Sequence, residues 1–293
     1  MAQIPDTHLI LNPDKSQYHL NLLQHELATN VILVGDPDRV PFLSALLNKV
    51  EVKKQKREYV THTGFYKGRR VTILSTGIGT GNIDIVMNEL DALVNIDINK
   101  REAKEDLTKL NIVRIGTSGA IQADIAPGEF VLSRFTMGLD NLLDYYLLQQ
   151  DYDEKQISNN LKKQLPGGPD FYICEGDKML LNQFPDEFIR GITCVAPGFY
   201  APQNRQLRAP IKYTGLFDTL QNFSYQDIRI TNLEMEASAI YGLGKIFGHR
   251  CCTIDLILAN RVHNTFLHNY QPKMLELGEL VLETLLNFDP GTE

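Results

Sequence analysis

The chain has 293 residues, enough for one enlarged domain or two ordinary ones, and its 43% hydrophobic and 22% charged side chains are those of a globular protein rather than a disordered one. Twenty-nine Lys and Arg against 36 Asp and Glu leave a formal charge of −7. An acidic chain has no general attraction for nucleic acid or an anionic membrane, so neither is expected as a partner, although a few arginines can still gather around one small anion. Cys174, Cys194, Cys251 and Cys252 form no CxxC pair, which argues against a disulfide framework or a zinc site and for a reducing, cytoplasmic setting. Met1 to Leu11 lacks the basic-then-apolar pattern of a secretory signal, and no apolar run approaches the roughly 18 residues that span a bilayer.

Val31–Val34 reads as a buried strand ending at Gly35, followed by helical spacing over 38–48 (Val40, Leu43, Leu46, Leu47). Tyr59–Phe65 and Val71–Ser75 read as a hairpin joined through Gly68. A glycine-rich turn, Gly77 to Gly81, leads into a helix with Asn82 as the expected N-cap. The charged stretch 100–106 reads as a solvated helical face. Further strands are expected at 112–115, 130–132, 192–196, 228–230 and 253–259, with late helices at 235–247 and 273–286. Wholly apolar strands separated by helices or long crossovers imply a mostly parallel sheet covered by helices on both faces. The polar, Tyr-rich stretch 140–170 is expected to be a surface insertion or lid, so residues 1–293 read as a single decorated domain.

Ligands of such sheets bind beyond the carboxyl ends of the strands, so the following turns are where chemistry is sought. Gly35-Asp36-Pro37-Asp38-Arg39 offers a close backbone approach and a cation at a helix start. Arg114 to Ala120 (RIGTSGA) supplies an arginine, two hydroxyls and two glycines, the composition of an oxyanion cradle in a turn. The run from Ser75 to Gly81 has GxGxG rather than GxGxxG spacing and no acidic residue closing a later strand, which rules against a dinucleotide site or a P-loop. Glu234 and Glu236, spaced i, i+2 at a helix start, cannot share one helical face, so one should point away; the other suits a sugar diol. Phe199, Gln203 and Arg205 combine an aromatic face with an amide and a guanidinium, which suits a flat heterocycle bearing carbonyls.

Taken in order, these strings resemble the nucleoside phosphorylase superfamily, and within it the uridine phosphorylase branch. The resemblance runs from His8 past Arg261 and includes Arg57-Glu58-Tyr59 beside the motifs above. It implies a three-layer phosphorylase/hydrolase-like α/β fold and a glycosyltransferase (pentosyltransferase) activity, in which nucleoside plus inorganic phosphate gives free base plus ribose 1-phosphate. Gly35, Arg39, Arg57, Arg114 and Thr117 would hold phosphate; His8, Met235 and Glu236 would hold the ribose; Phe199, Gln203 and Arg205 would read a uracil. Arg114, Glu236 and Arg261 would carry the catalysis, with Arg261 polarising the departing pyrimidine. Arg57 and His8 would come from a partner copy, which implies a homo-oligomer with a dimer as the minimal unit and leaves a hexamer open.

No cofactor is required by this resemblance. A potassium ion held near Glu58 is left open, because the expected serine is Asn82. Two alternatives of the same fold, a purine nucleoside phosphorylase and a nucleoside hydrolase, stay in view, as does a non-catalytic nucleoside-binding protein. Asp255, inside the apolar run of the last strand, reads as a buried structural carboxylate.

Overall fold

In the computed structural model, which describes residues 3–289, β1 (Asn30–Val34) is buried along its whole length and leads into a short α1 (Arg39–Ser44). The helix expected over 38–48 stops early because the sheet claims the chain. The Asn48 amide donates to the Phe65 carbonyl at 2.8 Å, and β2 (Lys49–Lys56) begins at the next residue. Charged and polar side chains at 49, 51, 53 and 55 face solvent on this edge strand, which discourages pairing with another chain. β3 (Tyr59–Tyr66) and β4 (Arg69–Ser75) form the expected hairpin.

α2 (Thr80–Asn95) is capped by Gly79 rather than Asn82: Gly79 takes φ +94°, and Asn82 sits in the first turn with its amide nitrogen donating to the Ile78 carbonyl. The charged stretch 100–106 is not helical. β5 (Ile96–Asp97) and β6 (Glu102–Ala103) pair about a turn in which the Asp97 carboxylate accepts the amides of Asn99 and Lys100 at 2.9 and 3.1 Å. A local side-chain acceptor there outcompetes the helical hydrogen bonds.

The remaining strands are longer than their apolar cores. They are β7 (Asn111–Ala120) and β8 (Phe130–Gly138), followed by α3 (Tyr152–Gln164), β9 (Tyr172–Glu175), α4 (Lys178–Leu181) and β10 (Ile189–Val195). Then come α5 (Leu216–Asn222), β11 (Ser224–Tyr225), β12 (Ile228–Glu234), α6 (Ala237–Phe247), β13 (Arg250–Asn260), β14 (Thr265–Phe266) and α7 (Gln271–Asn287). Within 140–170, α3 buries Ile157 and Leu161, and its buried Glu154 takes the Lys245 ammonium of α6 at 2.7 Å.

The main sheet runs β11-β12-β10-β8-β13-β7-β1-β4-β3-β2, with parallel pairing at β10–β12, β10–β8, β13–β7, β1–β7 and β1–β4. It is a mixed α/β sheet with helices on both faces. Alternation along β1 shows the layering: Val31 and Leu33 join a core with α2 and α6, whereas Ile32 and Val34 join one with α1 and α7. Each such fully buried aliphatic side chain contributes about 1.5–3 kcal/mol by leaving water. The end of β12 also pairs antiparallel with the end of β7, through Asn232–Ala120 and Leu233–Gly119. Strands β7, β13, β8, β10 and β12 therefore close into a ring, and the carboxyl ends of β1, β7 and β12 meet at one rim.

Candidate active site

At that rim lies a cavity of about 820 Å³. Its cationic end starts at the turn after β1, where Gly35, Asp36, Pro37 and Arg39 form one wall. Arg39 donates from Nη2 to the Thr117 hydroxyl at 3.2 Å, while its buried Nε has no hydrogen-bond partner. Burial lowers its pKa, and the nearby Arg114 lowers it further.

The segment 116–119 is not the expected turn. It continues β7, with Gly116 to Ala120 paired to Asp255–Asn260, so the ladder uses its amides and the cradle is built from side chains. Arg114 is 3% exposed and surrounded by three carboxylates. Its Nη1 donates to Asp255 at 3.3 Å, its Nη2 donates to Glu236, and Glu234 lies 3.3 Å from the same Nη2. Burial opposes the charge on Arg114, but the three carboxylates outweigh it and hold the guanidinium above its ordinary range. Gly116 is indispensable to this arrangement: a Cβ there would lie 1.8 Å from Arg114 Nη1 and 2.0 Å from Asp255 Oδ1.

Glu234 and Glu236 do not diverge, contrary to the helical argument. Glu234 ends β12 and Glu236 is the N-cap of α6, so the backbone turns between them and both side chains reach Arg114. Glu234 accepts the amides of Glu236 and Ala237, which anchors it as part of the helix start. Glu236 accepts the Gly79 amide at 2.6 Å on its other oxygen, and half-buried Met235 stands beside it on the cavity wall. Burial pushes Glu234 up to about 8 against the pull of Arg114, and it pushes Asp255 up to about 6 against the same pull.

Phe199, Gln203 and Arg205 form a further part of the cavity wall. The Arg205 guanidinium stacks 4.0 Å from the Phe199 ring centroid, donates to the Phe199 carbonyl at 3.0 Å and bonds the Gln203 side-chain oxygen. Arg261 does not line the cavity but packs against this part of its wall. Its Nη1 donates to the Gln203 carbonyl at 2.6 Å, and its guanidinium lies over Phe217. Burial, with Arg205 adding to it, lowers Arg261 to about 10.

Glu58 lines the cavity next to Asn82, whereas His8 and Arg57 are exposed and do not. Arg57 sits at φ +54° in the turn between β2 and β3. Sequence reasoning missed the joint role of Glu234, Asp255 and Asn232 around Arg114. The one available signal was Asp255, a carboxylate inside the apolar run of β13; Asn232 lies in β12 beside Thr231 and close to Glu234 and carries no such signal. It also missed Ile78, Leu258 and Phe266, apolar wall residues that carry no pattern of their own.

Residues 29–286 match the model of the phosphorylase superfamily. The chain belongs to that superfamily. A uridine phosphorylase of Thermococcus kodakarensis is 29% identical over 253 residues, covering 85% of this chain and 79% of that protein. A DeoD-type purine nucleoside phosphorylase of Listeria monocytogenes is 27% identical over 237 residues, 80% of this chain and 84% of that one. Among solved structures, a Trypanosoma brucei nucleoside phosphorylase described as showing uridine phosphorylase activity superposes with a TM-score of 0.86. It is 25% identical, with 96% of this chain and all of that one covered. The protein is thus an enzyme of the nucleoside phosphorylase, pentosyltransferase type. Among the described residues, no helix is long and apolar enough to cross a membrane.

Proposed function

We propose that the enzyme cleaves uridine with inorganic phosphate to uracil and ribose 1-phosphate. The observation that carries this reading is that one cavity gathers three sets of groups with different chemistry. Its wall brings together Arg39, Arg114 and Thr117, then Glu236 and Met235 through the Arg114–Glu236 contact, and the Phe199, Gln203 and Arg205 cluster. Those sets suit an anion, a diol and a flat carbonyl-bearing base.

Phosphate gripped by the two arginines is positioned beneath the anomeric carbon, and its charge stabilises the oxocarbenium-like transition state of glycosidic cleavage. Glu236 accepts from the ribose hydroxyls. As the bond to the base lengthens, negative charge grows on the base carbonyls. Arg205 and the Gln203 amide donate to it, while Arg261 holds the Gln203 backbone from behind. Arg57 and His8 complete the site from a second copy.

The Listeria relative favours a purine reading, whose substrate would draw on a carboxylic acid to protonate the base. Asp36, Glu58, Glu234 and Glu236 line this cavity, and the group proposed to face the base, Phe199, Gln203 and Arg205, offers an amide and an arginine rather than a carboxylic acid. A potassium ion belongs to the same reading: Glu58 and the Asn82 amide oxygen are hard oxygen donors that suit it. The test is release of free base from uridine and inosine, with and without phosphate. Phosphate-dependent uracil release exceeding hypoxanthine release supports the reading; phosphate-independent release, or a preference for inosine, overturns it.

A further inference from the structure

Asp255 is the only charged residue between Cys251 and Ala259, and it is fully buried. Its two oxygens have fixed and different partners. Oδ1 accepts from Arg114 Nη1 at 3.3 Å, and Oδ2 accepts from Asn232 Nδ2 at 2.9 Å. Arginine can only donate. The Asn232 oxygen accepts the hydroxyls of Thr193 and Thr231 at 2.9 and 2.8 Å and its nitrogen also donates to the Ser118 hydroxyl at 2.8 Å, so the amide nitrogen is the atom that faces Asp255. Position 255 thus faces a donor on each side, and an ionised carboxylate satisfies both with one oxygen apiece. Burial pushes Asp255 up to about 6, and Arg114 pulls it back.

The other charged groups facing this pair are Arg39 from α1, Glu234 from β12 and Glu236 from the start of α6. Glu236 is the second hydrogen-bonded hold on Arg114, and it is the carboxylate that the ribose would recruit. Glu234 is occupied by two backbone amides. Once a nucleoside engages Glu236, Asp255 is the hydrogen-bonded anchor left on the guanidinium.

We propose that Asp255, oriented by Asn232, is a positioning residue that keeps Arg114 aligned on phosphate while Glu236 serves the sugar. The inference rests on the reading of Arg114 as a phosphate ligand. It competes with a view of Asp255 as a mere counter-charge, which would weaken anion binding and whose removal would tighten it.

The experiment compares phosphate and uridine saturation at neutral pH for the wild type, Asp255→Asn and the double variant Asn232→Asp/Asp255→Asn. Asp255→Asn turns an amide nitrogen toward one of two obligate donors. The double variant reverses the 232–255 bond and returns an acceptor to Arg114, with the charge moved one residue away. Expected are a phosphate KM raised roughly 10- to 100-fold in Asp255→Asn, a uridine KM within about threefold of wild type, and a phosphate KM within about threefold in the double variant. The inference is overturned by an unchanged or lowered phosphate KM in Asp255→Asn, by equal rises in both KM values, or by a double variant that fails to recover. Should Asp255→Asn not fold, the double variant decides by the same criterion. A wild type without phosphate-dependent cleavage refutes the functional reading and this inference with it. A phosphate-dependent wild type beside a normal Asp255→Asn refutes this inference alone.

Discussion

Substituting Gly116→Ala tests whether the Arg114–Asp255 contact sets phosphate affinity, since it adds one methyl group at the point where they meet. The new Cβ would stand 1.8 Å from Arg114 Nη1 and 2.0 Å from Asp255 Oδ1, against the 3.0 Å that real contacts respect, so these groups must retreat by about 1.2 and 1.0 Å. Neither can do so freely. Arg114 is fastened by carboxylates on both Nη groups, and Asp255 is fully buried and bonded to Asn232. Overpacking of a filled interior costs about 1–3 kcal/mol of stability. A displacement of about 1 Å in a group that positions a reactant costs on the order of 100-fold in rate. Phosphate saturation kinetics and thermal unfolding of the same preparations measure both. The expected variant is folded, modestly less stable, and lower in kcat/KM for phosphate by roughly 30- to 100-fold. A Gly116→Ala enzyme with wild-type phosphate KM and kcat would refute the claim that this contact sets anion affinity.

Arg39→Ala removes a charge-assisted donor worth about 1.5–3 kcal/mol, so the phosphate KM should rise roughly 10- to 100-fold with little change in Tm; an unchanged phosphate KM would remove Arg39 from the anion site. Glu234, pushed up to about 8 chiefly by burial, binds more protons in the folded than in the unfolded chain, so its contribution favours folding at low pH and is lost as pH rises from about 5 to 8. Thermal melts across that window should therefore show a smaller decline for Glu234→Gln than for wild type, and equal slopes would contradict the assignment. Arg205→Ala should raise the uridine KM while leaving the phosphate KM alone, because its guanidinium stacks on Phe199 and bonds Gln203 rather than Arg39, Arg114 or Thr117. Co-expressed Arg57→Ala and Arg114→Ala chains, each inactive alone, should recover part of the activity if Arg57 acts in a neighbour's site; no recovery in confirmed mixed dimers would place Arg57 elsewhere.

The strands and the order of the motifs were legible because buried parallel strands are continuous apolar runs and because turns after them carry unusual residues. Helix boundaries were less so. Nothing in 38–48 signals that the Asn48 amide is already committed to the sheet, and nothing in 100–106 outweighs helical charge spacing except Asp97 upstream, whose carboxylate folds the turn. Of the residues that the motifs single out, Arg39, Arg114, Thr117, Met235, Glu236, Phe199, Gln203 and Arg205 are gathered on the wall of one cavity. The site was misread where local periodicity was allowed to decide. Glu234 and Glu236 straddle a strand-to-helix turn, so helical spacing had no bearing on where they point. The Asp255–Asn232 pair joins residues 23 apart in sequence on strands that are not direct neighbours in the sheet, a juxtaposition no local pattern encodes.

The closed ring of strands also dictates an order of assembly during synthesis. β7 carries Arg114 and Thr117 but takes its ring partners from β12 and β13, more than a hundred residues downstream. A nascent chain that has emerged only as far as β10 presents an apolar β7 without those partners, with Arg114 still lacking all three of its carboxylates. The anion site is therefore one of the last parts of the molecule to come into being, and a chain truncated ahead of Asp255 would lack it whatever else had folded.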